Sequence, residues 1–295
     1  MKVLVFGATG SIGLLVAQAF VRAGHTVYGT TRSPEKVQQL PADEIIPILD
    51  TSPSSSSFPS EPSWAPLTAT LVTIIDASGG ADLATRALSL LTLVATAAVS
   101  HRAATGPALT YIYTSGTWVH GSSAPALTPI SDMTPLTAPA ALVAWRPAQE
   151  QRVLQHDLLA GVVVRPALVY GRGASLLAPL FQSAYDASGG GGGMVRWFGR
   201  PEDHYALVHV DDLAEVYVLA AERAALVRGV AFDAANDFTE NADDVLRRLG
   251  QRALTTTHLL RPYLARSLLG WRPKKAGLVD GLEVYYNAWK ASVHL

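Results

Sequence analysis

The feature that most constrains this chain is Gly7-x-x-Gly10-x-x-Gly13. It follows directly on the apolar, β-branched run Lys2–Phe6 and opens a helical pattern that continues to Arg22. As a bare pattern, three glycines at this spacing say little. Between a strand and a helix each has a physical role. Gly7 allows a tight turn, Gly10 lets backbone approach a pyrophosphate, and Gly13 lets the helix pack on the strand. The helix start then offers free N–H groups and the positive end of its dipole to phosphate. With Thr9, Ser11 and Ile12 between them, these glycines form a predicted dinucleotide-phosphate loop. The alternative is an ordinary glycine-rich turn between strand and helix.

The order of elements that follows suits such a loop. Gly24 ends the first helix, His25–Thr31 alternates as a second strand, and Ser33-Pro34-Glu35 caps a short helix. Glu44–Leu49 is a third apolar run, closing at Asp50. This β-α-β-α-β succession predicts a parallel sheet with right-handed crossovers. Residues 51–66 are rich in Ser and Pro and read as a surface insertion. Leu71–Ile75 resumes as strand four, Asp82–Arg102 as a helix, Leu109–Thr114 as strand five, Gln149–Leu159 as a helix and Val162–Arg165 as strand six. Beyond these, the five consecutive glycines within Ser188–Gly193 predict a flexible loop. Val208–Asp212 reads as a strand entering a helix capped by an Asp. Val230–Asp233 predicts a strand, Glu240–Arg248 a helix and Leu282–Ala291 a last amphipathic helix.

Composition narrows the function classes. With 49% hydrophobic and 16% charged residues in 295, the chain can fill a large core. Its 23 Lys+Arg against 24 Asp+Glu leave a net charge of −1, so no basic field invites nucleic acid or an anionic membrane. The absence of cysteine excludes disulfides, a thiolate zinc site and a cysteine nucleophile. Leu83–Val99 comes nearest to a membrane span, but Arg86, Ser89, Thr92 and Thr96 read better as one face of a half-buried helix. A cytoplasmic protein with a small-molecule partner, and with neither nucleic acid nor membrane, is the expectation; the oligomeric state is open.

The end of strand two discriminates between cofactors. An acidic residue there would bind the adenosine ribose hydroxyls and select NAD. This chain has Thr30-Thr31-Arg32, with Lys36 one turn on. A guanidinium pairs bidentately with a 2′-phosphate and stacks on adenine, so Arg32 favours NADP(H). The competing reading is a solvated arginine at a strand end.

Taken in order, these segments resemble the extended short-chain dehydrogenase/reductases, the NAD-dependent epimerase/dehydratase family. Gly-Ala-Thr-Gly-Ser-Ile-Gly at 7–13 is similar to its N-terminal loop. Asp50 falls where the family has an Asp near adenine, and Ala77-Ser78 where backbone after strand four lines the cofactor. Tyr113–Gly121 resembles the strand-five motif ending Val-Tyr-Gly, and Arg165–Gly171 the Arg-Pro-x-x-Val-Tyr-Gly segment, with Pro166, beside the nicotinamide. Val208–Ala214 and Leu269–Pro273 resemble its C-terminal landmarks. The resemblance implies an α/β fold: a Rossmann-type doubly wound parallel sheet with a smaller α/β C-terminal substrate lobe. The dinucleotide-binding domain would cover residues 1–172. Residues 173–295 would be mainly the substrate lobe, partly interleaved with the sheet, with the substrate between the two.

The family's chemistry implies a Tyr that moves a proton, a Lys that lowers the Tyr pKa and holds ribose, and a Ser or Thr that polarises the substrate carbonyl. Here the pattern breaks. Alignment on Val119-x-Gly121 puts the Ser/Thr position on Gly116, flanked by Ser115 and Thr117. Alignment on the helix of Glu150 puts the Tyr on Leu142 and the Lys on Arg146. Leucine transfers no proton, and arginine stays charged; it can contact ribose or stabilise an oxyanion but cannot act as a general acid. Pro147 suits a first helical turn.

Histidine is the residue type that exchanges protons most readily at neutral pH, so His120 is a candidate donor, against a purely structural role. Tyr170 is another candidate donor, and Trp118 and Trp145 are candidate walls for an aromatic substrate. His204, Tyr205 and His209 show no metal-ligand spacing, and Asp211-Asp212 reads as a helix cap rather than a carboxylate pair. The leading expectation is an NADP(H)-dependent oxidoreductase on a small carbonyl-like substrate, with Ser115, Thr117, Arg146 and His120 at an atypical active site. The rivals are a non-redox isomerase, lyase or cyclase that keeps the dinucleotide fold, and an NADP(H)-sensing binding protein.

Overall fold

The computed structural model describes residues 1–50, 61–122, 129–173, 177–188, 204–241, 244 and 260–294. Seven strands form the central sheet: β1 (Lys2–Phe6), β2 (Thr26–Thr31), β3 (Ile46–Leu49), β4 (Thr73–Asp76), β5 (Leu109–Thr114), β7 (Leu159–Pro166) and β11 (Ala231–Ala234). Their spatial order is β11-β7-β5-β4-β1-β2-β3, so the chain reverses direction across the sheet between β1 and β4. That reversal is the switch point at which doubly wound sheets bind ligands. The neighbours from β3 to β7 pair in parallel, with Val3 opposite both Val27 and Thr73. All eight residues of β7 are buried, as expected for a strand covered on both faces.

Helices connect these strands. They are α1 (Gly13–Arg22), α2 (Pro34–Val37), α3 (Leu83–His101) and α4 (Arg146–Leu154). Along α3 the residues Ala87, Leu90, Leu91, Val94, Ala95 and Ala98 recur at helical spacing and are buried. They pack on Leu4, Phe6, Ile74 and Tyr111 of the sheet. By length and hydropathy α3 alone among the described helices could cross a membrane, yet this face belongs to the core.

Two compact units divide the chain. The first comprises Met1–Ser115, Trp145–Val164 and Ala214–Ala231; the second comprises Gly116–Ala144, Arg165–Leu213 and Phe232–Leu295. Within the second lie β6 (Ile130–Ser131), β8 (Leu168–Tyr170), α5 (Ala178–Ser188), β9 (His204–Tyr205), β10 (Leu207–His209), β12 (Glu240–Asn241), β13 (Leu260–Arg261), α8 (Tyr263–Leu269) and α9 (Leu282–Ser292). Its core gathers Tyr170, Leu180, Phe181, Leu207, Leu282 and Trp289. The remaining helices are α6 (Val210–Glu222) and α7 (Ala224–Val227).

Several sequence expectations need correction. The helix expected over Gln149–Leu159 begins earlier, at Arg146, because Pro147 has the fixed φ that a first turn wants; it stops at Leu154, and Leu159 already starts β7. Glu240 does not open a helix. It pairs in β12 against Tyr205 of β9, since its carboxylate points inward and accepts the backbone N–H groups of Leu278 and Val279. Of the rest of that predicted helix, 242–243 and 245–248 lie outside the described residues. Asp211 and Asp212 sit inside the first turn of α6 rather than before it. Asp212 Oδ2 instead accepts the Lys275 N–H at 2.9 Å.

The Ser/Pro-rich segment divides in the same way. Residues 51–60 lie outside the described residues, but Trp64 is buried edge-on against Phe6 with ring centroids 5.1 Å apart, so this end belongs to the core. The five-glycine run at 189–193 also lies outside the described residues.

Candidate functional site

In the first unit the glycine loop leaves β1 and turns at once. Gly7 has φ +75°, and a Cβ there would stand 2.6 Å from the Ala77 carbonyl oxygen. A Cβ on Gly13 would meet the Gly7 carbonyl oxygen at 2.1 Å, and one on Gly10 the same atom at 3.2 Å. The distances for Gly7 and Gly13 are shorter than any real Cβ contact, so the backbone itself requires glycine at these two positions. The Gly10 N–H donates to Gly7 O at 2.8 Å, and Leu14 N–H donates to Gly10 O at 3.0 Å, locking the turn onto α1. Thr9 Oγ1 lies 3.1 Å from Thr31 Oγ1, which fastens the loop to the end of β2. Ser11 and Gly10 are exposed, and the helix start behind them carries no acidic residue. Such a terminus attracts anions.

The predicted cofactor contacts Arg32, Asp50, Ala77 and Ser78 lie in the same unit. Ala77 and Ser78 follow β4, with Ser78 N–H donating to Asp76 Oδ1 at 3.0 Å. Asp76 also accepts the Tyr111 hydroxyl at 3.0 Å, and burial raises its carboxyl pKa. Arg32 is exposed and rests its Nη2 on the Gly79 carbonyl at 3.2 Å. Asp50 is buried, with Arg86 Nη2 at 3.8 Å from its carboxylate. Three side-chain oxygens at the carboxyl ends of β4 and β5, those of Ser78, Tyr113 and Ser115, are buried and have no hydrogen-bond partner among the described residues. Burial raises the Tyr113 pKa further. A glycine cradle closed to any side chain, an exposed arginine at the end of β2 and orphaned oxygens at the strand ends together fit a bound dinucleotide.

Arg146, where alignment on the helix of Glu150 puts the family lysine, is half-buried at the start of α4. Its Nη1 donates to the Thr114 carbonyl at 3.1 Å, and its Nε is buried without a partner among the described residues. Thr114 Oγ1 and the Tyr217 hydroxyl stand 2.8 Å apart beside it. Leu142, where the same alignment puts the family tyrosine, is 75% exposed in the turn Ala141–Val143. The Ser115 N–H donates to Val164 O at 2.8 Å, which fixes the backbone that carries its free hydroxyl.

In the second unit Thr117–His120 form a single 3-10 turn. Thr117 and His120 are buried, and Trp118 is 40% exposed. The His120 ring meets the Asp233 carboxylate through Nε2, at 2.9 and 3.1 Å. Arg165 Nη1 lies 3.6 Å from the same carboxylate. Pro166, the next residue of β7, precedes Ala167, whose N–H donates to Ala234 O at 2.9 Å. Gly116 has extended backbone at φ 177°, and the nearest atom to an added Cβ is Pro166 O at 3.8 Å, so a side chain would fit there.

Other candidates are occupied by structural contacts. The Tyr170 hydroxyl donates to Ala276 O at 2.7 Å and accepts from Asn236 Nδ2 at 3.0 Å. His209 accepts the Asp211 N–H, and burial drives its pKa down to about 4. Sequence reasoning missed Asp233, which lies 113 residues from His120, and Asp132, whose Oδ2 accepts the Leu264 N–H at 2.9 Å. Only their acidic type within an apolar strand or loop could have signalled them.

Seven strands wound in this order, with a glycine cradle at the switch point, define a Rossmann-type dinucleotide-binding protein. The sequence pattern of the NAD dependent epimerase/dehydratase family matches residues 3–234, and the chain belongs to that family. No curated protein matches it. Among solved structures it is similar to the human epimerase family protein SDR39U1 with NADPH, at 18% identity over 97% of this chain and 99% of that one, TM-score 0.71. It is also similar to UDP-glucuronic acid 4-epimerase from Bacillus cereus in complex with UDP-glucuronic acid and NAD, at 18% identity over 99% and 100%, TM-score 0.77. A functionally unknown conserved protein from Silicibacter pomeroyi DSS is similar at 21% identity over 99% and 98%, TM-score 0.68. At these identities the likeness is one of fold.

Proposed function

We propose that this protein is an NADP(H)-dependent oxidoreductase that acts on a small organic carbonyl compound through an atypical active site. The observation that carries the reading is the intact glycine cradle with Arg32 exposed at the end of β2. The human relative, solved with NADPH, supports the choice of phosphorylated cofactor. The nicotinamide supplies the hydride when bound.

This chain's own groups do the rest. Gly7, Thr9, Gly10, Ser11, Ile12 and Gly13 hold the pyrophosphate, while Ala77, Ser78 and Pro166 line the dinucleotide. Asp50 holds the adenosine end, and Arg32 takes the 2′-phosphate by a bidentate charge-assisted pair. Arg146 holds ribose, and Ser115 or Thr117 polarises the substrate carbonyl. The segment from residue 173 onward supplies most of the substrate contacts. Screening NADPH oxidation against a broad carbonyl panel tests the reading: product formed one-for-one with oxidised cofactor is the expected result.

The exposed Leu142 favours one rival, a non-redox isomerase or lyase that keeps the dinucleotide as scaffold. Turnover with no net change in NADPH absorbance would select it over the oxidoreductase.

A further inference from the structure

Gly116–Ala144 is a continuous piece of the second unit, and its surface is poor in charge. Between His120 and Arg146 the sequence holds a single charged residue, Asp132. That carboxylate is turned inward: Oδ2 accepts the Leu264 N–H at 2.9 Å, and Oδ1 is buried. His120 is also turned inward, onto Asp233, and its side chain has no accessible surface. From Met133 to Ala144 seven residues are exposed, and Thr137 is the only polar one among them. Leu142 is 75% exposed and Trp118 40%.

Backbone contacts join these two side chains' segments into one surface. The Trp118 carbonyl accepts both the Gly121 N–H at 3.1 Å and the Ala140 N–H at 3.0 Å. Gly121, at φ +73°, lies so close under the Ala138 carbonyl that no Cβ fits between them. The run leading to Leu142 is therefore laid along the turn that carries Trp118. Single exposed apolar residues are ordinary, but an uncharged stretch of surface with an exposed indole marks a place that something covers.

The chemistry of the face selects its occupant. A charged ligand would lose hydration here and find no counter-charge, whereas a flat apolar body stacks on an indole. A stable protein interface takes about 20–30 residues a side, and one tryptophan, one leucine and the small residues around them match a small molecule instead. Trp118 directly follows Thr117, proposed above as a carbonyl polariser, and Leu142 stands where alignment puts the family tyrosine. Resting on the proposed oxidoreductase reading, we infer that Trp118 and Leu142 are specificity-determining residues, and that the carbonyl compound is uncharged and carries an aromatic body held against them. Leucine at this place then gives the substrate an apolar contact.

Fluorine NMR on the full-length protein labelled with 5-fluorotryptophan tests this without turnover. The chain has six indoles, and Trp118→Phe assigns one signal. Acetophenone and 4-acetylbenzoate share a ring and a carbonyl and differ by one carboxylate; each is titrated with NADP⁺ present and absent. Acetophenone should move the Trp118 signal saturably and bind about 10-fold or more tighter than 4-acetylbenzoate. Leu142→Asp, at an exposed position, should keep the fold by circular dichroism and weaken acetophenone by about 10-fold or more. A Trp118 signal that acetophenone leaves unmoved, or equal binding of the two compounds, would overturn the inference. So would a Trp118 signal that shifts on dilution of the protein alone, which assigns the face to a second copy of this chain. The wild-type comparison decides even if a variant fails to fold.

NADPH oxidation and dinucleotide binding read the proposed function separately. Oxidation that is faster with 4-acetylbenzoate than with acetophenone sinks this inference and keeps the oxidoreductase. Saturable, charge-selective binding of acetophenone by a protein that binds no dinucleotide keeps the apolar subsite and sinks the oxidoreductase.

Discussion

The glycine loop and the strand-five turn lie in different units and solve opposite problems. At the loop, function depends on having no side chain: the backbone packs so closely that Gly7 and Gly13 admit no Cβ. At Thr117–His120 the side chains decide the packing, and the buried imidazole of His120 meets the Asp233 carboxylate with the Arg165 guanidinium 3.6 Å from it. A site made of backbone is rigid to sequence change. A site made of buried charges can be rebuilt from residues far apart in sequence, so long as every charge finds a partner. The difference teaches that a backbone cradle and a cluster of buried charges answer to different kinds of sequence change.

That contrast can be broken from either side. The largest effect is expected at Gly13→Ala, whose methyl would run into the Gly7 carbonyl. Calorimetry should show dinucleotide binding lost, and urea denaturation a loss of about 3 kcal/mol or more, since backbone must move. Next comes Asp233→Ala, which takes the carboxylate from the buried His120 Nε2; breaking a buried pair in this way costs about 3–5 kcal/mol. Urea midpoints at neutral pH read it, and an unchanged midpoint would show that the cluster holds nothing together.

A pH dependence sharpens the second unit's side of the comparison. Glu240 is buried, and its pKa is raised from 4.5 to about 7. Its unfolded form loses a proton first, so the contribution to stability is full below pH 4.5 and is lost as pH rises to 7. The loss should be on the order of 3 kcal/mol in urea titrations, and Glu240→Gln should flatten it. A wild-type curve that rises over this window would contradict the assignment.

Arg32→Ala should weaken NADPH binding by about 10–100-fold while leaving NADH unchanged, the value of a charge-assisted pair to phosphate. The smallest effect is expected at Gly116→Ser, which restores the family hydroxyl in an open space. Stability should stay within about 0.5 kcal/mol, and a larger loss would mean that the turn has closed over the position.

How much of this can be read in the sequence follows from the same contrast. The sheet and its loop are legible because they depend on local signals: period-two apolar runs, helices between them and glycines at fixed spacing. Strand five spans Leu109–Thr114, the same residues as its apolar run. The lack of any Tyr between Tyr113 and Tyr170, and of any Lys between Lys36 and Lys274, is equally plain in the sequence. Partnership is not legible. Nothing near His120 points to Asp233 on β11, and nothing near Glu240 indicates that its carboxylate turns inward to the backbone of Leu278 and Val279. Helix propensity favours Glu240–Arg248 as a helix, and tertiary hydrogen bonds override it at Glu240. Trp64 is hidden by its Ser/Pro-rich surroundings, although its burial against Phe6 makes it core.

The most direct test of the central claim is calorimetric titration of the purified protein with NADP⁺, NADPH, NAD⁺ and NADH. Tight binding of the two phosphorylated forms, with the unphosphorylated pair weaker by about 10-fold or more, is the predicted result. Failure of all four to bind would contradict it, leaving a glycine cradle that no longer holds a dinucleotide.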